Sequence, residues 1–350
     1  VSAADAAVPE TAEARKGRIA EGLSRWLAEQ WGEPVEVSGL IETSAGARRG
    51  NILFDAKRAD GRVIGLCATI LPTPDIELMK ITEEAALLQR AEAGGVTVPH
   101  VHFATEDSHW VGGPLFVSDR VEGETVPRRV LRKVRADGTG ETIVDQLGRA
   151  FAALHAIPVE EAPRSLTRPG AVAPAELAMD RIVEQMDQLL QPAPVFQLGV
   201  SWLQRHMPRE PGRLSIVHGD VRNGNLIIDD DGLAAVLDWE VAKIGDPMED
   251  LAWPCLRCWR FGEDALEVGG FGDRATLAAA YADAGGDFDP AAFHWWKVLG
   301  TLRWGLGLAG QARAHLDGSF SNIVMAASGR RVGELEYDLL CLLRPQDSLD

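Results

Sequence analysis

The stretch that decides the fold is residues 217–253, VHGDVRNGNLIIDDDGLAAVLDWEVAKIGDPMEDLAW. An apolar run at residues 214–217 leads into a polar loop. Two further apolar runs, 225–228 and 233–237, flank an Asp-Gly pair at Asp231-Gly232. This pattern predicts a β-hairpin, because Asp-Gly tolerates the positive φ that a tight turn needs. Two carboxylates stand at its ends, Asp220 before it and Asp238 after it. Folding brings both to one end, beside Asn225 at the start of the first hairpin strand. Three oxygen-bearing side chains at a strand–loop edge suit a hard cation such as Mg²⁺, which takes oxygen ligands and bridges phosphates. The acidic run 229–231 falls at the hairpin tip, where water solvates it.

Protein kinases carry H-R-D-x-x-x-x-N, in which the Asp meets the acceptor hydroxyl and the Asn holds a metal ion; a later Asp holds Mg²⁺. In this chain Asn225 follows Asp220 by five residues and Asp238 follows it by eighteen. Residues 245–252, GDPMEDLA, complete the series. An HGDxxxxN element, a hydrophobic-Asp pair and GDPxxDLA, in that order, resemble the aminoglycoside phosphotransferase and choline kinase branch of the kinase-like fold. The resemblance implies an α+β, two-lobed protein-kinase-like fold with a small β-rich N-terminal lobe and a large, mainly helical C-terminal lobe. It implies transfer of a phosphoryl group from ATP, with Mg²⁺, to a hydroxyl of a small molecule. Asp220 then acts on the hydroxyl, while Asn225 and Asp238 hold the metal. Arg222, two residues past Asp220, is in reach of the γ-phosphate. His218 braces the loop, Asp246 orders its own turn, and Asp250 suits the dipole at a helix start.

Upstream, residues 11–31 have helical spacing, with Ile19, Leu23, Trp26 and Leu27 on one face. Three strand-like runs follow at 35–41, 51–56 and 63–71, the last two joined by an Asp60-Gly61 turn. A helix at 77–93 and strands at 100–105 and 115–121 complete the small-lobe order that the resemblance implies. Residues 43–50, TSAGARRG, fall where kinase-like proteins lay a loop over the phosphates. Glu84 occupies the place of the family's helix glutamate. Its usual partner is a basic residue on the third strand, yet that strand reads VIGLCATIL and has none. Arg48 and Arg49 are the adjacent cation pair in the covering loop and are expected to substitute, with Lys57 and Lys80 as the alternatives. If none does, the chain is a weak nucleotide-binding pseudokinase that acts as an interaction module. The connection between lobes includes Asp119 and Val121, where relatives pair the backbone with the adenine edge.

The sequence divides into residues 1–121 as the nucleotide lobe, 122–140 as a polar linker, and 141–350 as the catalytic and substrate-binding lobe. Residues 141–156 form an amphipathic helix whose His155 packs structurally, and helices are expected at 174–190, 195–206, 246–260, 274–284, 290–316 and 320–343. Cys255 and Cys258 form a lone C-x-x-C without the second pair that a zinc site needs, so both are expected in the core on one helix. With 46% hydrophobic and 25% charged residues the composition is that of a soluble globular protein, and a net charge of −17 argues against a nucleic-acid partner. No apolar run is long enough to span a membrane and residues 1–12 lack the basic-then-apolar order of a signal peptide, so the expected location is the cytoplasm. Oligomeric state is left open. Six of ten tryptophans fall at or after Trp239 and would wall the acceptor site. Around them Glu240, Glu249, Glu263 and Asp264 alternate with Arg257 and Arg260. Those arginines disfavour a polycation. The acceptor expected from this is a small hydroxylated molecule with an apolar body, a hydroxylated acyl compound being one candidate beside the aminoglycosides, since related domains occur fused to acyl-CoA dehydrogenases.

Overall fold

Residues 11–43, 49–71, 79–209, 213–319 and 322–344 are described in the computed structural model. Helix α1 (Ala12–Trp31) opens them, with Thr11 as its N-cap accepting the Ala14 N–H at 3.2 Å, and Gly32 closing it in the left-handed region. Its face of Ile19, Leu23, Trp26 and Leu27 is buried against a five-stranded antiparallel sheet ordered β1-β2-β3-β5-β4. The strands are β1 (Glu36–Glu42), β2 (Gly50–Lys57), β3 (Val63–Ile70), β4 (Val101–Thr105) and β5 (Leu115–Asp119), and α2 (Ile81–Ala93) intervenes between β3 and β4. Ile52 and Phe54 of β2, Leu66 of β3 and Val117 of β5 complete that core. Burying each such side chain is worth about 1.5–3 kcal/mol.

The chain separates into two compact units, one of residues up to 92 with 98–121, the other of residues 93–97 with those from 122 onward. The stretch expected as a linker, 122–140, contains helix α3 (Pro127–Asp137). Val130, Leu131 and Val134 bury one side of it, Pro127 starts it and Gly138 ends it at φ 68°, so local signals masked by its many charges fix a helix. Helices α4 (Gly140–Ala156), α5 (Pro174–Met186) and α6 (Pro194–Arg205) follow, as the spacing predicts.

The hairpin expected from Asp231-Gly232 is present as β7 (Leu226–Ile228) paired with β8 (Leu233–Val236). The preceding strand β6 (Ser215–Val217) pairs with β9 (Lys243–Gly245), a strand the sequence reading omitted. Ser215 lies opposite Gly245 and Val217 opposite Lys243, so this small ladder ties the loop before Asp220 to the GDPMEDLA turn. Helix α7 (Pro247–Ala252) is shorter than the expected 246–260 helix. Pro254 lacks the N–H that a continuing helix requires, and two 3₁₀ turns follow, Trp253–Cys255 and Arg257–Trp259, separated by an extended Leu256. Cys255 and Cys258 therefore sit on different turns. Helices α8 (Arg274–Asp283) and α9 (Pro290–Leu316) match their spacing. The expected 320–343 helix is divided into α10 (Ile323–Ser328), a 3₁₀ turn and α11 (Val332–Leu342). At Gly329, where the 3₁₀ turn begins, a Cβ would stand 2.7 Å from that of Ala312 on α9, so only glycine fits there without a shift. Among the described residues no helix is long and apolar enough to cross a membrane.

Candidate active site

The loop after β6 is held by one carboxylate. Asp250, fully buried on α7, accepts the N–H of His218 through Oδ2 and that of Gly219 through Oδ1, both at 2.7 Å. Its Oδ2 also lies 3.2 Å from His155 Nε2, and the other ring nitrogen of His155 is 3.0 Å from the Tyr281 hydroxyl. Burial alone would push the Asp250 carboxyl up, but the His155 hydrogen bond and the Gly219 N–H outweigh it and hold the group below the usual carboxylate range. Asp250 thus serves the loop rather than the start of its own helix. Gly219 turns the chain at φ 83°, a conformation costly for any residue with a Cβ.

His218 accepts the Asp220 N–H at Nδ1 (3.2 Å) and places Nε2 3.1 Å from the Leu237 carbonyl. That pairing corresponds to the neutral tautomer with its proton on Nε2. Asp246 caps α7 by accepting the Met248 N–H at 2.9 Å and takes the Trp296 indole N–H at 2.8 Å, while burial pushes its carboxyl up.

Asp220 is braced on three sides. Its Oδ1 accepts the Trp253 indole N–H at 2.7 Å and the Arg222 Nε–H at 3.3 Å, and its Oδ2 accepts from Asn225 Nδ2 at 2.8 Å. Asn225 Nδ2 also donates to the Asp220 carbonyl at 2.9 Å. A carboxylate oxygen has two lone pairs, so Oδ1 is filled and Oδ2 keeps one acceptor direction. The side chain is 24% exposed, enough to meet a second molecule.

The Asn225 amide hydrogens are both used on Asp220, which leaves its carboxamide oxygen as an acceptor. The Leu237 N–H donates to the Asn225 carbonyl at 2.9 Å, so Asp238 follows directly after the hairpin rung. Asp238 is exposed and holds φ 67°, an uncommon conformation for a residue with a side chain. An amide oxygen and a free carboxylate are hard oxygen donors of the kind Mg²⁺ takes, and a metal that also binds phosphates and water needs few protein ligands. The donor set fits. Among the described residues no group of three or more His, Cys, Asp or Glu side chains is arranged to hold a metal ion.

Beyond Trp253 the wall is aromatic and cationic. The rings of Trp253, Trp259 and Trp304 pack together, with centroids 5.6 Å apart for Trp253–Trp259 and 4.8 Å for Trp259–Trp304. The Arg222 guanidinium lies 4.7 Å over the Trp259 ring, and that of Arg303 4.3 Å over Trp253. Arg303 and Lys243 each approach Glu249 Oε1 at 2.7 Å. Burial would raise the Glu249 carboxyl, yet these two charges hold it below the usual range. Arg257 and Arg260, the arginines picked out in the sequence, are engaged elsewhere. Arg257 pairs with Asp264 (2.7 Å) and Asp338 (3.0 Å), and Arg260 donates to the carbonyls of Asp264 (2.7 Å) and Cys255 (3.0 Å). Trp253 and Arg303 are the residues whose contacts sequence reading missed. A tryptophan immediately after GDPMEDLA was the available signal for the first, while Arg303 sits mid-helix with nothing to mark it.

In the other unit, Arg49 forms an ion pair with Glu84 of α2, both side chains almost entirely shielded from solvent. Arg48 lies outside the described residues. Lys57 is at the far end of β2, 3.6 Å from Glu36 and exposed, and Lys80 is exposed just ahead of α2. Asp119 ends β5 with its carboxylate 2.7 Å from His102 Nε2 and its N–H donating to the His100 carbonyl at 2.8 Å. Val121 is the last residue of this unit and is partly buried.

Residues 68–296 match the phosphotransferase enzyme family, APH. The chain belongs to this family. A Ralstonia eutropha protein classed with the aminoglycoside phosphotransferases has a solved structure with TM-score 0.71 and 20% identity, covering 92% of this chain and 97% of that one. Aminoglycoside 2'-phosphotransferase-IIIa, solved as a GDP complex, gives TM-score 0.61 at 14% identity over 90% of this chain and 98% of its own. These likenesses establish the two-lobed, kinase-like α+β fold that the phosphotransferase motifs imply. Acyl-CoA dehydrogenase family member 10 of Mus musculus is 28% identical over 200 residues, 54% of this chain and 17% of that protein. The chain spans about a fifth or less of the curated acyl-CoA dehydrogenases it first matches.

Proposed function

We propose that this phosphotransferase-family chain moves the γ-phosphoryl group of ATP to a hydroxyl of a small molecule, with Asp220 meeting that hydroxyl. The observation that carries the reading is the single open acceptor direction on Asp220 Oδ2, left when Trp253, Arg222 and Asn225 have taken the others. A substrate O–H donating there is aligned for attack, and its proton passes to the carboxylate late in the transfer. Asn225 Oδ1 and the Asp238 carboxylate would hold Mg²⁺, which supplies neutralisation of phosphate charge when bound. Arg49, steadied by Glu84, takes the phosphate-binding part of the missing third-strand lysine. The backbone of 119–121 meets the adenine edge. Four free thiols, at Cys67, Cys255, Cys258 and Cys341, are in keeping with a reducing cytoplasmic setting.

The test is ADP release by the purified chain with ATP and Mg²⁺ across hydroxylated metabolites and antibiotics, with Asp220→Asn as the control. Acceptor-dependent, saturable release that the control lacks is expected. Binding of ATP with Mg²⁺ but no release with any acceptor would favour the pseudokinase alternative, and release unchanged in Asp220→Asn would remove Asp220 from the chemistry.

A further inference from the structure

Beside Asp220 the protein builds a surface that the transfer step itself does not require. Trp259 is 5% exposed, yet its indole N–H has no acceptor among the described residues, and the buried Trp304 N–H has none either. Both nitrogens are shielded from solvent, so the cluster brings donors and no spare acceptor to the neighbourhood of Asp220. The Arg222 guanidinium lies on the Trp259 face and uses only Nε on Asp220, leaving its two terminal nitrogens without a protein acceptor among the described residues. Room for it comes from Gly224, at φ 116°, where a Cβ would stand 2.7 Å from Arg222 Nη1. Arg303 supplies a second cation over Trp253.

The carboxylates of this wall are already matched. Glu249 holds Lys243 and Arg303, Asp264 and Asp338 hold Arg257, and Glu263 holds Arg135. An ammonium group arriving here would find cations and indole N–H groups as neighbours, although the chain as a whole carries a net charge of −17. Oxyanions suit this donor set, because a guanidinium offers a planar fork and indoles donate but do not accept.

We propose that the acceptor is a hydroxylated anion with a flat or apolar body. The body lies along the rim of the Trp253–Trp259–Trp304 cluster, where Trp304 is only partly buried, and Arg222, supported by Arg303, reads a carboxylate or phosphate. This rests on the reading of Asp220 as the residue that meets the acceptor hydroxyl. It makes Arg222 a determinant of acceptor choice, in place of a partner for the γ-phosphate.

The experiment compares mandelate and longer hydroxylated aromatic acids, each beside its neutral amide, and kanamycin, by ADP release and by tryptophan fluorescence without nucleotide. Acids are expected to exceed amides in kcat/KM by about ten- to a hundredfold, as for a charge-assisted contact. In Arg222→Gln the acid-to-amide ratio should fall towards one with KM for ATP unchanged, and Arg303→Gln should lower it partway. Amides used as well as acids, or kanamycin preferred, would overturn the proposal. So would an Arg222→Gln variant with a raised KM for ATP and an intact ratio. Saturable quenching by the acids that Trp259→Phe abolishes, with no ADP release from any acceptor, would uphold this site and reject the kinase reading. Absence of both quenching and acid preference would reject the site.

Discussion

The residues that hold Asp220 and those that hold Glu84 are assembled in opposite ways. Around Asp220, the partners His218, Arg222, Asn225 and Trp253, and Asp250 behind His218, come from one continuous stretch, joined by hydrogen bonds within it. Around Glu84, the partner Arg49 is 35 residues away and arrives from the start of a strand. Its position still follows from sheet geometry. Arg49 stands two residues before Asn51, which pairs across the ladder with Thr69 and accepts the Thr69 hydroxyl at 2.9 Å. Arg49 immediately precedes β2, whose first residue pairs with Ile70 at the end of β3, so the cation stands next to the strand that lacks one. A local network fixes each member of the motif to its place, whereas an ion pair asks only that a charge reach the right end of the sheet. The first ties each residue to its neighbours in sequence; the second does not.

The sharpest way to break the local network is Asp250→Asn. It removes one of two acceptors for backbone N–H groups and opposes a donor with a donor. Breaking a buried charged network of this kind is expected to lower stability by about 3–5 kcal/mol, read from urea unfolding near neutral pH. Acid adds a check of sign. The folded Asp250 carboxyl is held below its ordinary value, so its contribution is present above the unfolded pKa, about 3.9, and is lost as pH falls through the folded value. The gap between wild type and variant should therefore narrow in acid below about pH 4. A variant as stable as wild type at neutral pH would contradict the bracing role.

This contrast also explains what could be read from residue order alone. The hairpin and the closeness of Asn225 to Asp220 were legible because the Asp-Gly pair, short apolar runs and fixed spacings act over a few residues. The core face of α1 was legible for the same reason. Helix α3 was hidden because five basic residues among 128–135 obscure the three apolar ones that bury it. The short strand β9 was missed since three residues carry no periodicity. The extent of α7 was misjudged because Pro254 lies inside an otherwise helical pattern. Trp253 could be placed in a wall, but its bond to Asp220 depends on how α7 ends.

The long-range pair is tested by Arg49→Ala. If the cation has moved from β3 to the start of β2, KM for ATP should rise roughly ten- to a hundredfold, the size expected of a charge-assisted phosphate contact. Lys57→Ala should leave it unchanged. A large effect of Lys80→Ala with none at Arg49 would place the substitute elsewhere and weaken the comparison.

Trp253→Phe sharpens the local side by keeping the ring and removing the indole N–H from Asp220 Oδ1. A fall in kcat of about three- to tenfold is expected, with KM for ATP steady, since one hydrogen bond to a charged group is lost and water replaces part of it. A purely packing role would lower thermal stability and leave kcat untouched.

The most direct test sets a large loss of turnover against a nucleotide affinity that is expected to move least of all. Asp220→Asn should lose roughly 10²–10⁴ in turnover, the share of a positioned general base. Its affinity for ATP with Mg²⁺, measured by titration calorimetry, should stay within about twofold of wild type, because the role proposed for Asp220 is towards the acceptor and not the nucleotide. Turnover close to wild type, or nucleotide binding lost together with turnover, would contradict the account.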